Sequence, residues 1–132
     1  MGEDFSGEIV VDASFILAFL LPDEGVEPVD EIFDLYEAGK ITLHSTKLLP
    51  FEVLNGLRNS MLRRRITKFV ASGLLSEFFR LKITFEEIEY EKMFLLSLKA
   101  NLSVYDASYV FLASSKSVPL LTLDKKLTNL TK

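Results

Sequence analysis

The amino-acid order predicts an α/β fold, a sandwich of helices around a mostly parallel sheet, and three observations carry that expectation. Short apolar runs with strand character alternate with longer segments of helical periodicity. Apolar residues make up 48% of the 132 positions, a high share for so small a chain, which suits a sheet buried on both faces, an oligomer interface, or both. Repeats, low-complexity tracts and linkers are absent from the sequence, and the length suits one core rather than two.

The elements follow in order. A strand over residues 9–11 leads through Asp12 into a helix over 13–21, which Pro22 stops. The segment 27–38 sets Val29, Ile32, Phe33, Leu35 and Tyr36 against Glu27, Asp30, Glu31 and Asp34 at helical spacing, and Gly39 ends it. Next come a strand over 41–44 and a helix over 49–64. In that helix Val53, Leu54, Leu57 and Met61 form an inward stripe beside a polar one of Glu52, Asn55 and Asn59. A helix over 67–80, a strand over 82–85 and a helix over 86–99 continue the alternation. The last unit is a helix over 105–115, a strand over 119–123 opened by Pro119, and a short helix after Asp124.

Composition narrows the chemistry. Without cysteine, disulfides, thiol nucleophiles and thiolate metal sites all fall away. A single histidine, His44, leaves no multi-histidine metal site. No Gly-x-Ser-x-Gly elbow accompanies it, so a structural strand-end role suits it better than a serine triad. The longest apolar run, residues 15–21, has seven members, far below the ~20 that span a membrane. The acidic start lacks the basic and apolar stretches of a signal peptide, so a cytoplasmic protein without a membrane partner is expected. The net charge of −4 is unevenly spread, since eleven acids and no base precede Lys40. A polyanion is therefore expected to approach from elsewhere.

Four carboxylates stand where strands end or a helix face turns polar: Asp12 after Ile9-Val10-Val11, Glu52 after Pro50-Phe51, Asp106 after Val104-Tyr105, and Asp124 after Leu120-Leu121-Thr122-Leu123. Each has an ordinary structural explanation. Asp12 and Asp124 suit helix N-caps, worth about 0.5–2 kcal/mol over alanine. Asp106 suits a capping box with Ser103, and Glu52 suits an exposed helix position. Jointly they gather at one edge of one sheet, beyond strand ends, where open α/β sheets bind ligands. Two unit charges ~4 Å apart at an effective dielectric of ~20 repel by about 4 kcal/mol. Such a cluster protonates, spreads apart or binds a cation. A ligand set of oxygens alone selects hard ions, Mg²⁺ or Mn²⁺.

At these residues the chain resembles the PIN-domain ribonucleases, most closely the VapC-type toxins of type II toxin-antitoxin modules. The resemblance runs from Ile9 to Leu130. It rests on Asp12-Ala13-Ser14, on Glu52-x-x-Asn55-x-Leu57, on Tyr105-Asp106-Ala107-Ser108-Tyr109 and on Pro119-Leu120-Leu121-Thr122-Leu123-Asp124-Lys125-Lys126-Leu127. It implies a three-layer sandwich with a central, twisted, mostly parallel sheet, as one PIN-like domain over residues 9–132 behind a flexible N-terminal segment 1–8. It also implies a metal-dependent endoribonuclease, assembled as a homodimer, with RNA as substrate and an antitoxin protein that covers the acidic site.

By the same resemblance Asp12, Glu52, Asp106 and Asp124 form the catalytic, metal-binding quartet, with Asp12 and Asp106 the chief ligands of Mg²⁺ or Mn²⁺. Ser14 and Thr122 would orient carboxylates or water, with Asn55 in support. RNA phosphates would meet Arg58, Arg63, Arg64, Arg65 and Lys68 near the Glu52 helix and Lys125 and Lys126 beside Asp124. Arg63, Arg64 and Arg65 also read as a solvated helix end with cations at the negative pole of the dipole. Phe69, Leu74, Leu75, Phe78 and Phe79 are either ordinary core or contacts for a dimer or an antitoxin. The second functional reading is a non-catalytic PIN-like module that binds RNA or protein. A haloacid-dehalogenase-like phosphatase needs Asp-x-Asp, and Asp12-Ala13-Ser14 lacks the second acid.

Overall fold

A computed structural model describes residues 7–23 and 26–130. Strands β1 (Gly7–Val11), β2 (Ile41–Thr46), β3 (Ile83–Glu86) and β4 (Leu120–Leu121) form one sheet in the order β3-β2-β1-β4, with every pairing parallel. Between and after them run α1 (Ala13–Leu20), α2 (Glu27–Glu37), α3 (Leu49–Leu62), α4 (Lys68–Arg80), α5 (Tyr90–Ala100), α6 (Val104–Lys116) and α7 (Lys125–Leu130).

Topology dictates the layering. The steps β1 to β2 to β3 move one way across the sheet, and the return to β4 moves the other. Right-handed crossovers then place the helices of the outward steps on one face and those of the return on the other. Accordingly α1 packs on α2, α3 and α4, whereas α5 packs on α6, which covers β1, β2 and β4. The expected three-layer α/β sandwich is what forms. Ile9, Val10 and Val11 of the central strand are buried to 1% exposure or less, as a strand covered on both faces requires. The amphipathic α2 buries Val29, Ile32 and Phe33 and leaves Glu27, Asp30, Glu31 and Asp34 outside. Its Phe33 stacks on Phe19 with ring centres 3.7 Å apart.

Several boundaries differ from the sequence expectation. Gly7 and Glu8 pair with Ile41 and Thr42, so β1 takes up two residues of the segment expected to be flexible; residues 1–6 of that segment lie outside the described residues. Helix α3 stops at Leu62 because Arg64 turns left-handed, with φ 60°. The amides of Arg65 and Arg64 return to the carbonyls of Ser60 and Met61, the hydrogen-bond pattern of a Schellman stop. Glu86 belongs to β3, paired with Thr46 and bonded to His44 and Lys116, so α5 starts only at Tyr90. In α4, Phe78 is core, Leu74 and Leu75 are partly buried, and Phe69 and Phe79 are exposed.

Candidate active site

The strand order reverses at β1, with β2 on one side and β4 on the other, and the crevice of such a sheet opens at that point. Asp12 is the first residue after β1, and its amide donates to Leu121 O of β4 at 3.4 Å. It is only 4% exposed. As N-cap of α1 its Oδ1 accepts from the amide of Phe15 at 3.0 Å and from the Ser14 hydroxyl at 2.7 Å. Its Oδ2 accepts from the Thr122 hydroxyl.

Those two hydroxyls also hold the segment that carries Asp124. Ser14 Oγ accepts from the amide of Leu123 at 2.9 Å, and Thr122 Oγ1 from the amide of Asp124 at 3.0 Å. Each hydroxyl has one proton to give, and both give it to Asp12 while their lone pairs fix the turn after β4. Asp124 in turn accepts at Oδ1 from the amide of Lys126 at 2.9 Å, opening α7. On α6, Ser103 Oγ accepts from the Asp106 amide at 3.0 Å, so half of the expected capping box is present.

Glu52 comes from the first turn of α3, and its Oε1 accepts from the Tyr109 hydroxyl at 2.5 Å. Tyr109 is buried and lies one turn beyond Asp106 on α6, so one side chain ties the helices that carry two of the acids. Sequence reasoning gave Tyr109 no role; its i, i+3 spacing from Asp106, which sets both on one helix face, was the available signal. Helix α1 lays the Leu17 side chain over Gly56 of α3, where an added Cβ would lie 2.4 Å from Leu17 Cδ1 and displace that side chain.

The acids feel one another. Burial pushes the Asp12 carboxyl above its ordinary range and Asp124 adds repulsion, against the pull of Thr122, Ser14 and Phe15. Burial likewise raises Glu52, with Asp106 and Asp12 adding to it and Tyr109 opposing. Asp106 is raised by burial and by Asp124, with Lys126 opposing. Repulsion therefore links all four carboxylates, although among the described residues no three acids or imidazoles are close enough to form a ready-made ligand cage.

The donor set nevertheless fits a hard divalent cation. An ionised carboxylate offers about four lone-pair positions, and three of those on Asp12 are used, two on Oδ1 and one on Oδ2. The remaining one, with the carboxylates of Glu52, Asp106 and Asp124, gives an all-oxygen set under mutual repulsion that a cation relieves.

The other expected residues divide. Asn55 and Asn59 line an open cavity of 480 Å³ with Ala13, Leu48, Phe51, Glu52, Gly56 and Tyr105. Lys126 acts electrostatically on Asp106, and Lys125 is exposed next to it. Arg58, Arg63, Arg64 and Lys68 are exposed, but Arg63 stands about 16 Å along α3 from Glu52 at 1.5 Å per residue. Arg65 is engaged by Asp23, with Nε at 2.9 Å from Oδ2. His44 is a satisfied strand residue, its Nδ1 2.8 Å from Glu86 and its Nε2 2.9 Å from Thr42.

Comparison with known proteins agrees with this architecture. The PIN-domain profile matches residues 9–132, and the chain belongs to the PIN-domain family. Its relatives in that family include ribonuclease VapC3 of Pyrobaculum aerophilum, 36% identical over 124 residues, which are 91% of this chain and 92% of that one. Ribonuclease VapC9 of Mycobacterium tuberculosis is 35% identical over 123 residues, 92% of this chain and 89% of its own. Among solved structures, PAE2754 of Pyrobaculum aerophilum matches with a TM-score of 0.71 at 24% identity, covering 95% of this chain and 85% of that one. VapC20 of Mycobacterium tuberculosis, a toxin that cleaves the sarcin-ricin loop, matches at 0.63 and 16% identity, covering 92% and 94%. At those identities the two structures speak for the fold.

Proposed function

We propose that the chain is a metal-dependent endoribonuclease of the VapC toxin type, with Asp12, Glu52, Asp106 and Asp124 as its catalytic acids. The observation that carries this reading is the set of raised, mutually repelling carboxylates around the β1/β4 switch point, of which Asp12 is held by the Ser14 and Thr122 hydroxyls and Glu52 by Tyr109. PIN-domain ribonucleases work with a divalent metal, and we assign Mg²⁺ or Mn²⁺ to Asp12 and Asp106 first, with Glu52 and Asp124 completing the set. When bound, the cation supplies Lewis acidity and offsets charge at the phosphodiester.

The chain's own groups do the rest. Water attacks phosphorus, the bond to O3′ breaks, the departing oxygen takes a proton from solvent, and the products carry 5′-phosphate and 3′-hydroxyl ends. Glu52, its Oε1 held by the Tyr109 hydroxyl, would orient the attacking water from the first turn of α3, and the proton of that water passes to solvent. Lys125 and Lys126 draw the RNA strand towards Asp124, with Arg58, Arg63, Arg64 and Lys68 adding attraction farther along the surface. Asn55 supports Glu52 from the next turn of α3. The setting is the cytoplasm, the working form a homodimer of about 30 kDa from 15.0 kDa chains, and the regulator an antitoxin protein that covers the acids. Among the described residues no helix is long and apolar enough to cross a membrane.

The test is cleavage of a labelled structured RNA in Mg²⁺ or Mn²⁺, with EDTA and Asp106→Asn as controls. Loss of cleavage in both controls supports the assignment. Activity that survives Asp106→Asn overturns it, and a folded but inactive wild type favours a binding module.

A further inference from the structure

We propose that the apolar cavity beside the acidic site holds one unpaired nucleobase of the substrate RNA, adjacent to the phosphate that is cut. The proposal rests on the nuclease reading above and names a subsite of it. The cavity encloses 290 Å³, and its walls include Leu48, Phe51, Ile88, Tyr90, Met93 and Tyr105. Phe51 and Tyr105 immediately precede Glu52 and Asp106, so two helix starts each supply an acid to the reaction centre and an aromatic ring to the cavity. Leu48, Phe51 and Tyr105 also line the cavity that contains Glu52 and Asn55. The two spaces therefore adjoin at those three side chains, and a strand placed on the acids would bring a neighbouring base close to the apolar one.

Burial within one protomer does not account for these rings. Phe51, Tyr90 and Tyr105 stay 73%, 74% and 60% exposed. Single exposed apolar residues are unremarked on protein surfaces, but three aromatic rings converging on one cavity next to a phosphate-binding site make a stacking platform for splayed bases. The size argues the same way, since the volume is at the small end for ligand pockets and suits one ring system rather than a helix of a partner protein. Lys47 and Glu87, an ion pair among the lining residues, would offer their remaining donors and acceptors to a base edge.

The experiment uses short single-stranded oligoribonucleotides carrying one 2-aminopurine, whose fluorescence is quenched on stacking, with wild type, Tyr90→Ala, Phe51→Ala and Tyr90→Phe. Binding is read in EDTA, and cleavage in Mn²⁺. The expected result is quenching by wild type and Tyr90→Phe and its loss in the alanine variants. Their RNA affinity falls by roughly 5- to 150-fold, the worth of a stacked base, and KM rises while kcat is retained. Both positions are exposed, and circular dichroism checks that the variants fold. Alanine variants that bind, quench and cleave like wild type overturn the proposal and assign the cavity to another occupant, such as an apolar side chain of a protein partner. Stacking by a wild type that cleaves nothing supports the base pocket while overturning the nuclease, so the two failures are distinguishable.

Discussion

Replacing Thr122 by valine keeps the branched shape and deletes one hydroxyl, which donates to Asp12 Oδ2 and accepts from the Asp124 amide. A hydrogen bond to a charged group contributes about 1.5–3 kcal/mol, and at 4% exposure Asp12 has little water to replace it. The amide of Asp124 lies on a half-buried turn that solvent reaches, so its loss adds less. For a chain of this length 1 kcal/mol moves Tm by about 3–5 °C, which puts the fall in Thr122→Val at roughly 5–15 °C. Thr122→Ser, which keeps the hydroxyl, stays near wild type. The missing bond also removes a pull that lowers the Asp12 carboxyl, so RNA cleavage by the valine variant requires a higher pH. The assay is thermal unfolding by circular dichroism in EDTA, followed by the pH profile of cleavage in Mn²⁺. A valine variant with the Tm and profile of wild type would refute the claim that Thr122 positions Asp12.

Three further outcomes follow from the same geometry. A cation bound only by the folded state at a hundredfold its Kd adds about 2.7 kcal/mol, so Mn²⁺ should raise Tm by roughly 8–14 °C. The rise should vanish in the Asp12→Asn, Asp106→Asn double variant, and scanning fluorimetry reads both. Asp12, Glu52 and Asp106 are raised above their ordinary values of 3.8, 4.5 and 3.8, so the folded state holds more protons than the unfolded one. Their contribution in EDTA is complete below those values and is lost as pH rises through the raised ones; denaturant titrations across that window should show Asp106→Asn losing less than wild type. Finally, Arg64→Gly relieves a left-handed residue and should stabilise the chain by about 1 kcal/mol, measured as a shift in urea midpoint; no shift would mean that the Arg64 side chain compensates for its backbone.

Much of the fold was legible because its signals are local. Apolar runs bounded by Pro22, Gly39 and Pro50 punctuate the chain at the places where elements change. The errors fall where a distant contact overrides local pattern. Glu86-Glu87-Ile88-Glu89 reads as helix, yet Glu86 is drawn into β3 by Thr46 and His44 of β2 and by Lys116 of α6. The candidate acids were visible as residues at strand ends and helix starts. What joins them was not, because Ser14 meets Thr122 across 108 positions and Tyr109 meets Glu52 across 57. Arg65 shows the converse: a basic run invites a phosphate, whereas the structure gives this member to Asp23.

The structural and chemical readings of the acids turn out to be compatible, and that determines how the site can be tested. Asp12 caps α1 through its Oδ1 while Oδ2 keeps an open lone pair, and Asp124 opens α7 through its own Oδ1. An alanine at position 12 removes both functions, costing about 0.5–2 kcal/mol for the cap alone and leaving the Ser14 and Thr122 hydroxyls without their acceptor. A dead alanine variant therefore does not separate a lost ligand from a displaced turn. Asparagine caps a helix about as well as aspartate and retains one acceptor oxygen, so it deletes the charge while sparing most of the frame. If Asp12→Asn unfolds well above the alanine variant in EDTA, short of wild type only by a weakened bond to Ser14 or Thr122, yet loses both cleavage and stabilisation by Mn²⁺, the loss belongs to the chemistry. If instead it unfolds like the alanine variant, Asp12 is chiefly a cap, and the weight of the metal assignment passes to Asp106.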